Sequence, residues 1–166
     1  MMLTLLNYQQ RTLDAIQEHN KGCVYIPTGG GKTVVMKEDI KQRLLDATQP
    51  MTVVVVAPRI LLANQLCSEF EEYLGDFDIV YMHVHSGESR HVSSTKPDEI
   101  VEQNGLALTF GKHNFIFTTY NSLGRVNDAK ISVDVVYFDE AHHCVKPSNF
   151  VGIAHTSKYA DNAYFF

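Results

Sequence analysis

Cys23-Val24-Tyr25-Ile26-Pro27-Thr28-Gly29-Gly30-Gly31-Lys32-Thr33 is the stretch on which the reading of this chain turns. An apolar run enters a proline, three glycines and Lys-Thr, and residues 32–47 then read as a helix. Strand, glycine turn, Lys-Thr and helix make a physical recipe for holding a nucleotide triphosphate. Glycines let backbone N–H groups curl around phosphate oxygens, and the helix N-terminus adds its positive dipole end. In such a cradle Pro27, Thr28, Gly29, Gly30 and Gly31 wrap the phosphates. Lys32 reaches the β/γ-phosphates, and the Thr33 hydroxyl sits on Mg²⁺. The full pattern opens with glycine where this chain has Ile26. The plainer alternative is a glycine-rich turn before a helix.

A second signal lies far downstream. Val133-Asp134-Val135-Val136-Tyr137-Phe138 is apolar, β-branched and aromatic, and it ends in Asp139-Glu140-Ala141-His142. A buried parallel strand delivers ligands at its C-terminal end. Asp139 is then placed to hold Mg²⁺ and Glu140 to polarise the water that attacks the γ-phosphate. Alone, a strand ending in Asp-Glu is a common strand terminus; its meaning comes from being paired with Lys32.

The rest of the chain alternates helix and strand. Asn7 is expected to cap a helix over residues 7–20, with Gln10 completing a capping box. Strands are expected over residues 23–26, 52–57, 79–84, 114–118 and 133–139, and at the C-terminus from Asn162. The four valines of Val53-Val54-Val55-Val56 do not alternate with polar residues, which argues for burial on both faces. Leu62, Leu66 and Phe70 recur at helical spacing and read as a core stripe. Residues 86–97 read as a polar surface loop. A short helix over residues 98–103 is expected to close at Asn104-Gly105, leaving residues 106–110 ambiguous, and a last helix covers residues 148–157. Repeated βα units imply an α/β fold, mostly a parallel sheet with helices on both faces.

With these residues in place, the chain resembles superfamily 2 helicases and translocases. Pro27-Thr28-Gly29-Gly30-Gly31-Lys32-Thr33 is similar to their motif I (Walker A) and Asp139-Glu140-Ala141-His142 to their DEAH-box motif II. The closest flavour is the group of type III restriction subunits, excision-repair helicases and phage recombination helicases. Tyr8-Gln9 resembles the adenine-reading motif, with Gln9 in the glutamine place, although Leu6 and Asn7 stand where Arg-Pro is usual. Ala57-Pro58-Arg59 resembles motif Ia and Thr118-Thr119-Tyr120 motif Ib. The resemblance implies a RecA-like P-loop NTPase domain using ATP and Mg²⁺. It implies Pro58, Arg59 and Thr119 as nucleic-acid contacts, and His142 as the residue coupling hydrolysis to nucleic acid or to a second domain. It implies DNA, in preference to RNA, as partner. Residues 1–166 are expected to form one N-terminal RecA-like domain, the second, arginine-bearing one lying outside the chain, so that the fragment alone is inactive. Two alternatives stay open: a duplex-DNA translocase subunit of a restriction or repair nuclease, and a non-catalytic nucleotide-binding scaffold.

Composition narrows the classes. The chain has 166 residues, 45% hydrophobic and 20% charged, as in an ordinary globular domain. A net charge of −5 excludes a broadly basic nucleic-acid binder, so any such site must be local. Three widely spaced cysteines suggest reduced thiols in a cytoplasmic setting. No stretch approaches the roughly 18 apolar residues of a membrane span. The start Met1-Met2-Leu3-Thr4-Leu5-Leu6 is too short for a secretory signal. His142-His143-Cys144 is not expected to bind metal, because adjacent residues rarely point at one ion. His83, His85 and His91 read as ordinary surface or half-buried histidines.

Overall fold

In the computed structural model, which describes residues 4–166, the chain alternates helix and strand; Met1, Met2 and Leu3, at the start weighed above as a signal, lie outside the described residues. α1 (Asn7–Glu18) leads to β1 (Lys21–Cys23), the glycine turn and α2 (Lys32–Asp46). β2 (Thr52–Ala57), α3 (Ile60–Tyr73) and β3 (Ile79–Val84) follow, then β4 (Val92–Ser93), α4 (Pro97–Thr109) and β5 (His113–Thr119). α5 (Leu123–Asp128), β6 (Val135–Phe138), a 3₁₀ turn (Ala141–Val145), α6 (Pro147–Tyr159) and β7 (Asn162–Phe165) make up the rest.

The strands form one seven-stranded sheet in the order β1-β7-β6-β2-β5-β3-β4, and every pairing is parallel. β2 is buried along its whole length because it is covered twice. Val53, Val55 and Ala57 join the cluster under α1, α2 and α3, with Met36, Ile40, Phe70, Phe115 and Phe117. Val54 and Val56 join the cluster under α4, α5 and α6, with Ile100, Leu123 and Ile153. Each fully buried valine contributes about 1.5–3 kcal/mol relative to an exposed one. Both faces of β2 thus stabilise the fold, as the absence of alternation predicts.

The structure departs from the sequence reading at several boundaries. α1 is entered through Leu6, not Asn7: the Gln9 Oε1 accepts the Leu6 N–H at 2.9 Å, and Gln10 instead donates to Asp14. β1 starts at Lys21 and ends at Cys23, although the Val24 N–H still donates to Phe165 O at 2.6 Å. α4 runs unbroken through Asn104-Gly105, because Asn104 turns into the sheet and accepts from Thr52 Oγ1 and Asn114 Nδ2, both at 2.8 Å. α5 has no counterpart among the expected elements. The polar loop is tied down by β4, which pairs Val92 with Met82 and Ser93 with His83. No described helix is long and apolar enough to cross a membrane.

Candidate active site

The glycine turn is shaped by two residues that L side chains do not favour. Gly29 has φ 78° and Gly31, the residue that opens α2, has φ 82°. Both lie in the left-handed region that glycine enters freely. The Gly30 N–H closes the turn on Pro27 O at 2.8 Å. A Cβ on Gly30 would meet Ile26 Cγ2 at 2.5 Å and Pro27 O at 2.8 Å. The turn is therefore packed against Ile26 and Pro27 at Gly30 and against Gln9 at Gly31, and open at Gly29, where a backbone cradle can admit an anion.

α1 braces the turn. The Tyr8 hydroxyl donates to Gly30 O at 2.7 Å and Gln9 Nε2 donates to the same oxygen at 3.0 Å. Gln9 is 6% exposed, and its amide spans α1 and the turn. One N–H and one lone pair of that amide remain for a further partner.

Motif II arrives from the other end of the chain. Asp139 and Glu140 follow β6, whose neighbour β7 separates it from β1. Glu140 Oε1 lies 3.1 Å from Lys32 Nζ, joining residues 108 apart in sequence. Glu140 itself stands at φ 51°, ψ 56°, a left-handed conformation costly for a side-chain-bearing residue and typical of functional sites. His142 Nδ1 is 3.4 Å from Glu140 Oε2. Burial, then the neighbouring Glu140 charge, push the Asp139 carboxyl up, while Lys32 opposes the shift. A cation beside Asp139 would oppose the shift as Lys32 does.

The sequence profile described as "Type III restriction enzyme, res subunit" matches residues 2–165. The chain belongs to this family. Among solved structures, a nuclease-deletion mutant of the Type ISP restriction-modification enzyme LlaGI, in complex with a DNA substrate mimic, matches with TM-score 0.82 and 18% identity. The match covers 98% of this chain and 17% of that one. The ATP-dependent Type ISP restriction-modification enzyme LlaBIII, bound to DNA, matches with TM-score 0.78 and 19% identity, over 99% of this chain and 12% of that one. At these identities the likeness is one of fold, and the chain spans a small part of either enzyme's length. No curated protein matches it.

In this res-subunit domain the other expected residues are placed unevenly. Arg59 is exposed and directly precedes α3, and Pro58 is half-buried beside it. Thr119 is 5% exposed, so its hydroxyl is not presented to solvent as a surface contact is. His142 is largely exposed, its ring 4.5 Å from that of His143. The sequence reading placed Tyr8 in the adenine-reading motif and Tyr120 in motif Ib, but gave neither hydroxyl a partner at the site. The Tyr120 hydroxyl donates to Asp139 O at 2.7 Å, tying motif Ib to the backbone of motif II. Burial pushes that hydroxyl's pKa up, keeping it a donor. Their membership of the two motifs was the signal available in the sequence.

Proposed function

We propose that this chain is the ATP-binding and hydrolysing half of a DNA motor of the superfamily 2 type. The observation that carries the reading is the Lys32–Glu140 ion pair at the mouth of the glycine turn. Lys32 and the amides of Gly29 and Gly31 take the phosphates, while the Gly30 N–H, counted with them in the sequence reading, is held by Pro27 O and shapes the turn. Arriving phosphate competes for Lys32 and frees Glu140 to orient the attacking water. Thr33 and Asp139 offer the hard oxygen donors that suit Mg²⁺. When bound, the ion neutralises charge developing on the phosphates. Gln9 has the donor and acceptor to read adenine. Arg59, with Pro58 beside it, is the exposed contact offered to nucleic acid, Thr119 is too buried to share that role, and His142 links Glu140 to whatever docks above it.

DNA is preferred because both similar enzymes were solved on DNA or its mimic. Restriction-enzyme kinship favours translocation along a duplex over strand separation, and a strand-displacement assay on the assembled motor separates the two. A second RecA-like domain is expected to supply arginine to the site. Such a residue is worth about 10³–10⁵ in rate. The 166-residue chain alone should therefore bind nucleotide weakly and turn it over poorly.

Calorimetric titration of Mg-ATP and Mg-ADP into the chain, beside Lys32→Ala, tests this. Binding by the parent and its loss in the folded variant are expected. Equal binding by both proteins would remove the phosphate cradle from the argument, and brisk DNA-stimulated turnover by the monomer would remove the need for a second domain.

A further inference from the structure

Cys67 on α3, His83 on β3 and His91 in the following loop belong to no part of the site above. Their ligand atoms lie within 4.8 Å of one another. His83 Nε2 is 3.3 Å from His91 Nδ1, and Cys67 Sγ is 3.7 Å from the same nitrogen. Tetrahedral zinc, with bonds near 2.0–2.1 Å to nitrogen and 2.3 Å to sulfur, holds N and N about 3.3 Å apart and S and N about 3.6 Å apart. Both separations are already met. Cys67 and His83 are 1% and 2% exposed, and His91 is half-buried. A cavity of about 250 Å³ opens beside them, with room for a water as fourth ligand.

The outer partners fit as well. His91 Nε2 is 3.4 Å from Glu71 Oε1, and His83 Nδ1 is 3.1 Å from His85 Nε2. Metal-bound imidazoles usually lean on such groups through their second nitrogen. Arg90, the nearby positive charge, is paired with Glu71. Burial, with the neighbouring His85, His91 and Arg90, lowers the His83 pKa to about 4 and leaves a neutral imidazole. Burial pushes the Cys67 thiol up to about 12, an order that a divalent cation reverses by binding the thiolate.

We propose that Cys67, His83 and His91 form a zinc site that clasps the loop after β3 onto α3, with Glu71 and His85 behind the imidazoles. Binding releases the Cys67 proton to solvent. It moves the His83 proton to Nδ1, where His85 Nε2 accepts it. His85 then carries its own proton on Nδ1 and gives up both the Gly87 N–H bond and the bond from its Nε2 to Asn64 Oδ1, each now 3.2 Å long. The competing arrangement is a metal-free relay in which the three histidines and Glu71 satisfy one another.

The test uses the untagged chain, stripped with a chelator and equilibrated with zinc, then with cobalt. One equivalent of zinc is expected, together with a thiolate-to-cobalt charge-transfer band and a higher unfolding temperature. Cys67→Ser should abolish the band, and Glu71→Gln should weaken zinc by about tenfold or more. Cys144→Ser should change neither. If Cys67→Ser does not fold, the cobalt band of the parent chain decides. A folded parent that takes up no zinc at micromolar free metal, a cobalt complex without thiolate absorption, or zinc retained in folded Cys67→Ser would each overturn the proposal in favour of the relay.

Discussion

At Gly31 the backbone stands at φ 82°, and a Cβ there would meet Gln9 Nε2 at 2.4 Å. Gly31→Ala must therefore strain the turn and push Gln9 off Gly30 O together. The left-handed backbone alone costs about 1–2 kcal/mol. Urea unfolding should register at least that loss, and nucleotide titration should show weakened binding; a variant as stable as its parent would mean the turn relaxes easily. His113 provides a residue-level pH handle. Its Nδ1 accepts the Met51 N–H at 2.9 Å, and burial lowers its pKa, with Asp134 and Asp78 opposing. Below the ordinary value of 6.5 the unfolded chain takes the proton first, so stability falls as pH drops from 6.5 toward the lowered folded value. In His113→Gln the urea midpoint should decline less between pH 7.5 and 5.5, and parallel slopes would exclude His113 as a cause. That Lys32 and Glu140 belong together was legible in the sequence because each lies in a short motif of fixed spacing, and the structure brings them within 3.1 Å. The partners of Tyr8 and Tyr120 were not, because each acts through a backbone oxygen some twenty positions away, on Gly30 and Asp139.

Elements were legible where burial is extreme and obscure where one buried polar group decides. β2 falls at the expected residues, since a run buried along its whole length has no other place to go, and β3 does so as well although only Met82, His83 and Val84 of it are buried. Asn104-Gly105 reads locally as a helix stop, yet α4 passes through it. The Asn104 amide is 6% exposed and binds Thr52 on β2 and Asn114 on β5, a tertiary demand that local propensity does not contain. Asn104→Ala should cost about 1–3 kcal/mol by leaving the Thr52 and Asn114 donors unpaired. It should do so without loss of helix by circular dichroism. A fall in helicity would mean that Asn104 holds α4 together rather than holding it to the sheet. His83 and His85, read from the sequence as surface or half-buried, are each 2% exposed for a related reason: β4 folds the half-buried His91 back onto His83.

Across the whole molecule, charge constrains how the proposed motor domain could grip DNA. The net charge is −5, so Arg59 must act against an unfavourable background field. Each phosphate neutralised by a protein cation adds about −0.9 to the slope of log affinity against log salt. With Arg59 and at most one or two other cations at the strand ends, the slope for this chain on a short duplex should stay shallower than about −3. Anisotropy titrations from 50 to 200 mM salt measure it. Arg59→Ala should weaken binding without regard to sequence and flatten the slope by about one unit. A slope of −6 or steeper would require a broad cationic face that this composition does not possess.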